Sequence, residues 1–224
     1  MSNSPESVGK FQANEMEPRT AAVISGVGLL LMAVIAAPAN FGAIQSVIVP
    51  GDAAATASNI LTTETTFRLG AVGLIIVALL DILVAWGLYI TFRRELPGLA
   101  LLGGWLRLAY AALFALAINE LFSAARLAGS DPGGSLLQLH RFNDGWMIGQ
   151  VVFGCHLAML GVTAWRSAVV HKLFGVLLLI AGFGYLFDGV SHLLDPEFGV
   201  ELALFTFPGE VVFIFWLLIR GRRL

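Results

Sequence analysis

The sequence predicts an all-α integral membrane bundle of six transmembrane helices with both termini in the cytoplasm. Three observations predict it. The chain of 224 residues is 58% hydrophobic and only 12% charged, whereas soluble domains carry about 25% charged residues. The apolar residues gather into runs of roughly 20, the length a helix needs to cross a bilayer. The breaks between runs carry Pro or Gly: "VPGD" at 49–52, "LPG" at 96–98, "SDPGGS" at 130–135 and "DPEFG" at 195–199.

The elements follow in order. Residues 1–19 form a polar tail of mixed charge. It lacks the basic start and short apolar core of a cleavable signal, so the first apolar run is read as a span that stays. That span covers 20–44, and Pro38 and Asn40 in "AAPANFG" predict a kinked or unwound outer end. The outer loop, 45–65, is the longest connection. In it Asp52 is placed to cap a short helix over Ala53–Leu61, since a carboxylate there satisfies free N–H groups. This helix reads as an interfacial shield over the bundle, with a lid over a ligand site as the alternative. The remaining spans are 66–92, 98–126, 140–166, 172–194 and 199–219, the last interrupted by Pro208; residues 220–224 form a basic cytoplasmic tail.

Lys and Arg set the orientation. Lys10, Arg19, Arg93, Arg94, Arg166, Lys172, Arg220, Arg222 and Arg223 fall on one side, and Arg68, Arg126 and Arg141 on the other. This asymmetry puts both termini in the cytoplasm. Net charge is −2, so nothing favours nucleic acid. Cys155 is the single cysteine, which excludes an intrachain disulfide. No Walker loop, dinucleotide loop or nucleophile elbow occurs.

The polar residues inside the spans carry the functional question. At about 1.5 Å per residue, Asp81, Arg107, His156 and Glu210 all lie about 14–16 Å from the inner ends of their spans. Four helices thus place an ionisable group in one layer. Left uncompensated, Asp81, Arg107 and Glu210 would cost about 8–10 kcal/mol together, so Arg107 is expected to meet a carboxylate across helices. His156 shares its face with Gly145, Gly149 and Thr163, a stripe of small residues that admits a neighbouring helix. This layer is the candidate ligand-binding set. It reads either as a path for substrate, ion or proton, or as a network that fixes which helices pair.

A second set lies in the outer half: Arg68, Glu120, His140, Asp144, Tyr185, Asp188 and His192. His140 with Asp144, and Asp188 with His192, are each four apart and share a helical face. These four are the residues that would hold a metal, with zinc the ion their chemistry suits. The zincin pattern is absent, and such pairs also serve as plain ion pairs, so no cofactor is expected. His156 and His192 differ in depth by about 12–15 Å, too much to face one haem. The outer set loosely resembles intramembrane hydrolases of the alkaline ceramidase and adiponectin-receptor kind, through His140, Asp188 and His192. Those proteins have seven spans and two His four apart on a late helix, where this chain has Asp188 and His192.

Three longer stretches resemble a bacterial family of six-span membrane proteins, the domain of unknown function numbered 4386. They are "IVPGDAAATASNIL" at 48–61 with "FRLG" at 67–70, "LHRFNDGWMIGQVVFGCHLAMLG" at 139–161, and "KLFGVLLLIAGFGYLFDG" at 172–189. The resemblance implies the six-span architecture and a bacterial inner-membrane location. It also ranks Asp52, Arg68, Asp81, His156 and Asp188 as site candidates. No activity comes with it, so enzyme or not stays open. The leading expectation is a protein that binds or moves a small ligand or ion through a polar cavity. The alternatives are a metal-dependent intramembrane hydrolase acting on a lipid and a structural subunit of a membrane complex. Expected partners are the bilayer, a small-molecule or lipid ligand, and a second copy or a membrane complex.

Overall fold

The computed structural model describes residues 16–195 and 201–221. Most of the polar tail, Arg222 and Arg223 of the basic tail, and most of the "DPEFG" turn lie outside the described residues. Eight helices occur among the described residues. Helix α1 covers Pro18–Ala37 and runs on through a π-helical turn, Pro38–Ile44, and a 3-10 turn, Gln45–Val47. Helix α2 covers Ala53–Thr62, α3 Glu64–Phe92, α4 Pro97–Leu127, α5 Pro132–Arg166 and α6 Lys172–Leu194. Two short helices follow, α7 over Ala203–Thr206 and α8 over Pro208–Ile219.

Local chemistry sets the boundaries. Pro opens α1, α4, α5 and α8, where its missing N–H costs nothing and its fixed φ suits the first turn. Asp52 accepts the amide of Ala55 at 2.8 Å and Asp131 that of Gly134 at 2.9 Å, each capping its helix. Gly51 in the preceding turn has φ +76°, a conformation open to Gly and costly for other residues. Pro38 lacks the amide that would continue α1 regularly, and the helix widens there instead of ending. The predicted weak point of the first span is thus a π-helical turn.

Among the described residues five helices are long and apolar enough to cross a membrane: Pro18–Val47, Glu64–Phe92, Pro97–Leu127, Pro132–Arg166 and Lys172–Leu194. Span four starts eight residues before the expected 140, because Pro132 and the Asp131 cap begin the helix at the turn. The predicted sixth span is a shorter apolar segment, Ala203–Ile219, about 25 Å long at 1.5 Å per residue and broken at Phe207. The protein is apolar on the outside and polar between its helices, as a membrane protein is. Leu79 is 60% exposed, Leu116 71% and Phe183 62%, whereas Asp81 is 0% and Arg107 2% exposed. In lipid, apolar side chains belong outside and polar ones between helices.

The helices form a closed ring. Each of α1, α3, α4, α5, α6 and α8 packs against the next, and α8 returns to α1. The closest neighbours are α5 and α6, where glycines face glycines. A Cβ on Gly154 would stand 2.7 Å from the Gly182 carbonyl oxygen, and one on Gly175 2.8 Å from that of Gly161. Such contact leaves no room for a side chain. Helix α2 lies over the face that holds the long loop and packs against α5. That face is called the loop face below, and the one holding Pro18 and Gly221 the terminal face.

Candidate functional site

The ring axis is where the buried polar side chains meet. Arg107 of α4 is the hub. Its Nη2 stands 2.6 Å from Asp81 Oδ1 of α3, with both side chains buried. Its Nη1 donates to His156 Nε2 of α5 at 3.2 Å. Nη2 also reaches Met32 Sδ of α1 at 3.8 Å, and the guanidinium lies over the Phe153 ring, 5.4 Å from its centroid. Tyr185 of α6 meets Phe153 edge-on at 5.1 Å and its side chain neighbours Glu210 of α8. Arg107 and Asp81 act on Glu210 electrostatically. Every helix of the ring therefore contributes a side chain.

Hydrogen bonding fixes the state of His156. Its Nδ1 is 2.8 Å from the carbonyl oxygen of Gly103. A carbonyl only accepts, so Nδ1 carries the proton and donates. Arg107 only donates, so Nε2 supplies a lone pair. The imidazole is therefore neutral, and it orients the arginine without adding charge. Gly103 stands four residues before Arg107 on α4, and Phe153 three before His156 on α5, so each shares a helical face with the residue it supports.

Several buried polar atoms have no hydrogen-bond partner among the described residues. Asp81 Oδ2, Arg107 Nε and Glu210 Oε1 are three of them. The Asp81 contact to Arg107 is ionic and poorly aligned for hydrogen bonding, since Oδ1 also counts as unbonded. Buried polar atoms are nearly always satisfied; the two carboxylate oxygens can accept a proton or a cation, whereas the Arg107 Nε–H can only donate.

The axis is closed differently on its two sides. Toward the loop face an aromatic column stands above the cluster. Phe153 meets Tyr110 at a tilt at 4.8 Å, Tyr110 stacks on Phe114 at 5.8 Å, and Phe114 meets Trp146 at a tilt at 5.5 Å. Toward the terminal face a crevice of about 10 Å³ reaches His156 between Leu88, Phe92, Gly103, Gly104 and Thr163, on the scale of one water molecule.

The outer set does not assemble. Arg68 pairs with Glu64 of its own helix at 2.7 Å. Glu120 makes no hydrogen bond or ion pair among the described residues, and His140 is exposed. Asp144 meets His192 at 3.0 Å, with Asn143 Nδ2 3.4 Å from the same ring nitrogen. Asp188 spends both oxygens on the backbone, accepting the amides of Leu202 and Ala203 at 2.7 Å each. Among the described residues no three of His, Cys, Asp and Glu come together as a metal site. The quartet of His140, Asp144, Asp188 and His192 is thus split by the Asp188 amide contacts and the outward turn of His140. Tyr185 also leaves the outer set, because it points down the axis to Glu210. Asp52 and Arg68 are engaged locally and stand apart from the axis cluster.

Comparison with known proteins gives relatives without a known activity. An uncharacterized protein of Archaeoglobus fulgidus is 33% identical over 153 residues, covering 68% of this chain and 84% of the relative. No solved structure matches. The family model described as "Domain of unknown function (DUF4386)" matches residues 24–221, and the chain belongs to that family.

Proposed function

We propose that the protein binds a proton or small monovalent cation at the ring axis and moves it across the membrane, with Glu210 as the exchangeable site. The observation that carries this reading is the charge of the cluster. Asp81 and Arg107 cancel and His156 is neutral, so an ionised Glu210 leaves one negative charge inside the bundle. An uncompensated charge at that depth costs several kcal/mol. A proton on Glu210, or a cation beside its free Oε1, removes the cost. The crevice at His156 supports approach from the terminal face, and the aromatic column supports closure toward the loop face. A purely structural network would favour an even number of opposite charges.

The location belongs to the same proposal. Arg19, Arg93, Arg94, Arg166, Lys172 and Arg220 stand at the terminal face by helix order. This asymmetry supports cytoplasmic termini in a bacterial inner membrane.

The test is flux in vesicles. Purified protein is reconstituted into liposomes that hold a pH-sensitive dye, and a potential is imposed with potassium and valinomycin. The expected result is a protein-dependent pH change that Glu210→Gln abolishes and His192→Ala keeps. Parallel vesicles with a sodium indicator separate proton from sodium. The proposal fails if neither ion moves faster than in empty vesicles, or if Glu210→Gln matches the parent protein.

A further inference from the structure

A second recess lies on the loop face, away from the axis. It has a volume of about 260 Å³ and is lined by Gly42, Ala43, Ser46, Val47, Asn59, Thr62, Thr63 and Thr66. Three elements make it: the widened end of α1, helix α2 with its hinge to α3, and the first turn of α3. Sites for drug-sized molecules start at about 300 Å³, so this one suits a single small head group. Irregular π turns of this kind recur at functional sites.

Most of the polar groups already donate to backbone carbonyls. Ser46 Oγ donates to the Gly42 carbonyl at 2.7 Å, Thr62 Oγ1 to Ser58 at 2.8 Å, and Thr63 Oγ1 to Asn59 at 2.8 Å. Asn59 Nδ2 donates to the Val47 carbonyl at 3.2 Å. A hydroxyl has one hydrogen, so each of these three has spent it on its own backbone and shows lone pairs to a ligand. Thr66 alone among the lining hydroxyls has no hydrogen bond among the described residues. Among the described residues no Lys, Arg, His, Asp or Glu lines the recess. A neutral wall of acceptors is matched by a ligand rich in N–H donors. An anion finds no charged partner there and only the Thr66 hydroxyl and the second Asn59 N–H as donors, and a quaternary amine has no hydrogen to offer.

The surroundings are those of a lipid. Phe41 is 70%, Leu61 49% and Leu69 65% exposed, and each adjoins a lining residue in sequence or by one helical turn. The recess sits where α1 ends and α3 begins, at the height of lipid head groups. We infer that it is a binding site for a primary ammonium group, carried by an ethanolamine-type lipid head or by a free small amine.

Space at Gly42 makes the inference testable. A Cβ there meets nothing within 4 Å, and the same holds at Gly98 on the opposite face. The thermal midpoint of the full chain in detergent is measured with phosphatidylethanolamine, phosphatidylcholine or ethanolamine added. At about 100-fold over Kd, phosphatidylethanolamine should raise the midpoint by about 5–10 °C. Phosphatidylcholine should bind at least about tenfold more weakly, because it leaves the acceptors unpaired. Gly42→Trp should lose the ethanolamine response and Gly98→Trp should keep it. If Gly42→Trp fails to fold, the pair Thr62→Val and Thr63→Val carries the decision, and it too should lose the preference. A response to free ethanolamine assigns a soluble amine as sufficient, and a response to the lipid alone assigns the lipid. Equal response to phosphatidylcholine, no response to either amine, or an unchanged preference in the Thr variants overturns the inference.

Discussion

Asp188 of α6 holds Ala203 at the start of α7: its Oδ2 accepts the Ala203 amide at 2.7 Å while Oδ1 accepts that of Leu202 at the same distance. A side chain of one membrane helix thus caps another helix, in place of the local capping residue that Leu202 does not provide. Hydrogen bonds to a charged acceptor contribute about 1.5–3 kcal/mol. Asp188→Ala is expected to destabilise by about 2–3 kcal/mol, and Asp188→Asn by less, since one oxygen remains. A cysteine placed at Thr206 in a Cys155→Ser background should be labelled faster in Asp188→Ala. Unchanged labelling and an unchanged denaturation midpoint would show that the cap is idle.

The ion pair at the axis makes a different prediction. Removing one member of a buried pair costs about 3–5 kcal/mol, whereas replacing both by apolar residues is often neutral. Asp81→Leu or Arg107→Leu alone should therefore destabilise strongly. The double variant should recover most of the loss. Denaturant titration of the three variants in one detergent measures this. If the double variant is as unstable as the sum of the singles, the pair is not the coupling element.

At the contact between α5 and α6, a Cβ on Gly182 would lie 2.8 Å from the Gly154 carbonyl oxygen and from the Ala158 amide nitrogen. Backbone cannot move aside as a flexible side chain can. Gly182→Val should therefore cost about 1–3 kcal/mol and move the helices apart, while Gly98→Val, in open space, should change little. A crosslink between cysteines placed on α5 and α6 would report the separation.

The His192–Asp144 pair is of the surface kind, with the Asp144 side chain 57% exposed. His192→Ala should change stability by less than about 1 kcal/mol. Elemental analysis of untagged protein should give well below one zinc per chain. Stoichiometric zinc lost in His192→Ala would reinstate the outer metal site.

The sequence carried much of the architecture in plain sight. Long apolar runs and Pro-marked turns placed five spans, and Asp52 announced the α2 cap through its position before an Ala-rich stretch. Arg107 could be paired with a carboxylate from cost alone, because a lone guanidinium in lipid is too expensive. What stayed hidden depended on helix rotation. Tyr185 and Asp188 are three apart and share a face by spacing, yet one meets Glu210 and the other reaches backbone amides of the next segment. Backbone partners leave no trace in side-chain patterns. Met32 beside Arg107 and the Gly103 carbonyl beside His156 were hidden too, since neither a thioether nor a peptide oxygen marks itself as a partner in the sequence.

Closure of the ring by α8 has a consequence for biogenesis. Helices α1 to α6 leave the ribosome first and can form only an open horseshoe, with Arg107, Asp81 and His156 facing its gap. The strand of chain that carries Glu210 must then slot between α6 and α1 as the final step of insertion. A nascent chain stalled before residue 201 would display a charged seam to lipid, a signal that membrane quality control can read.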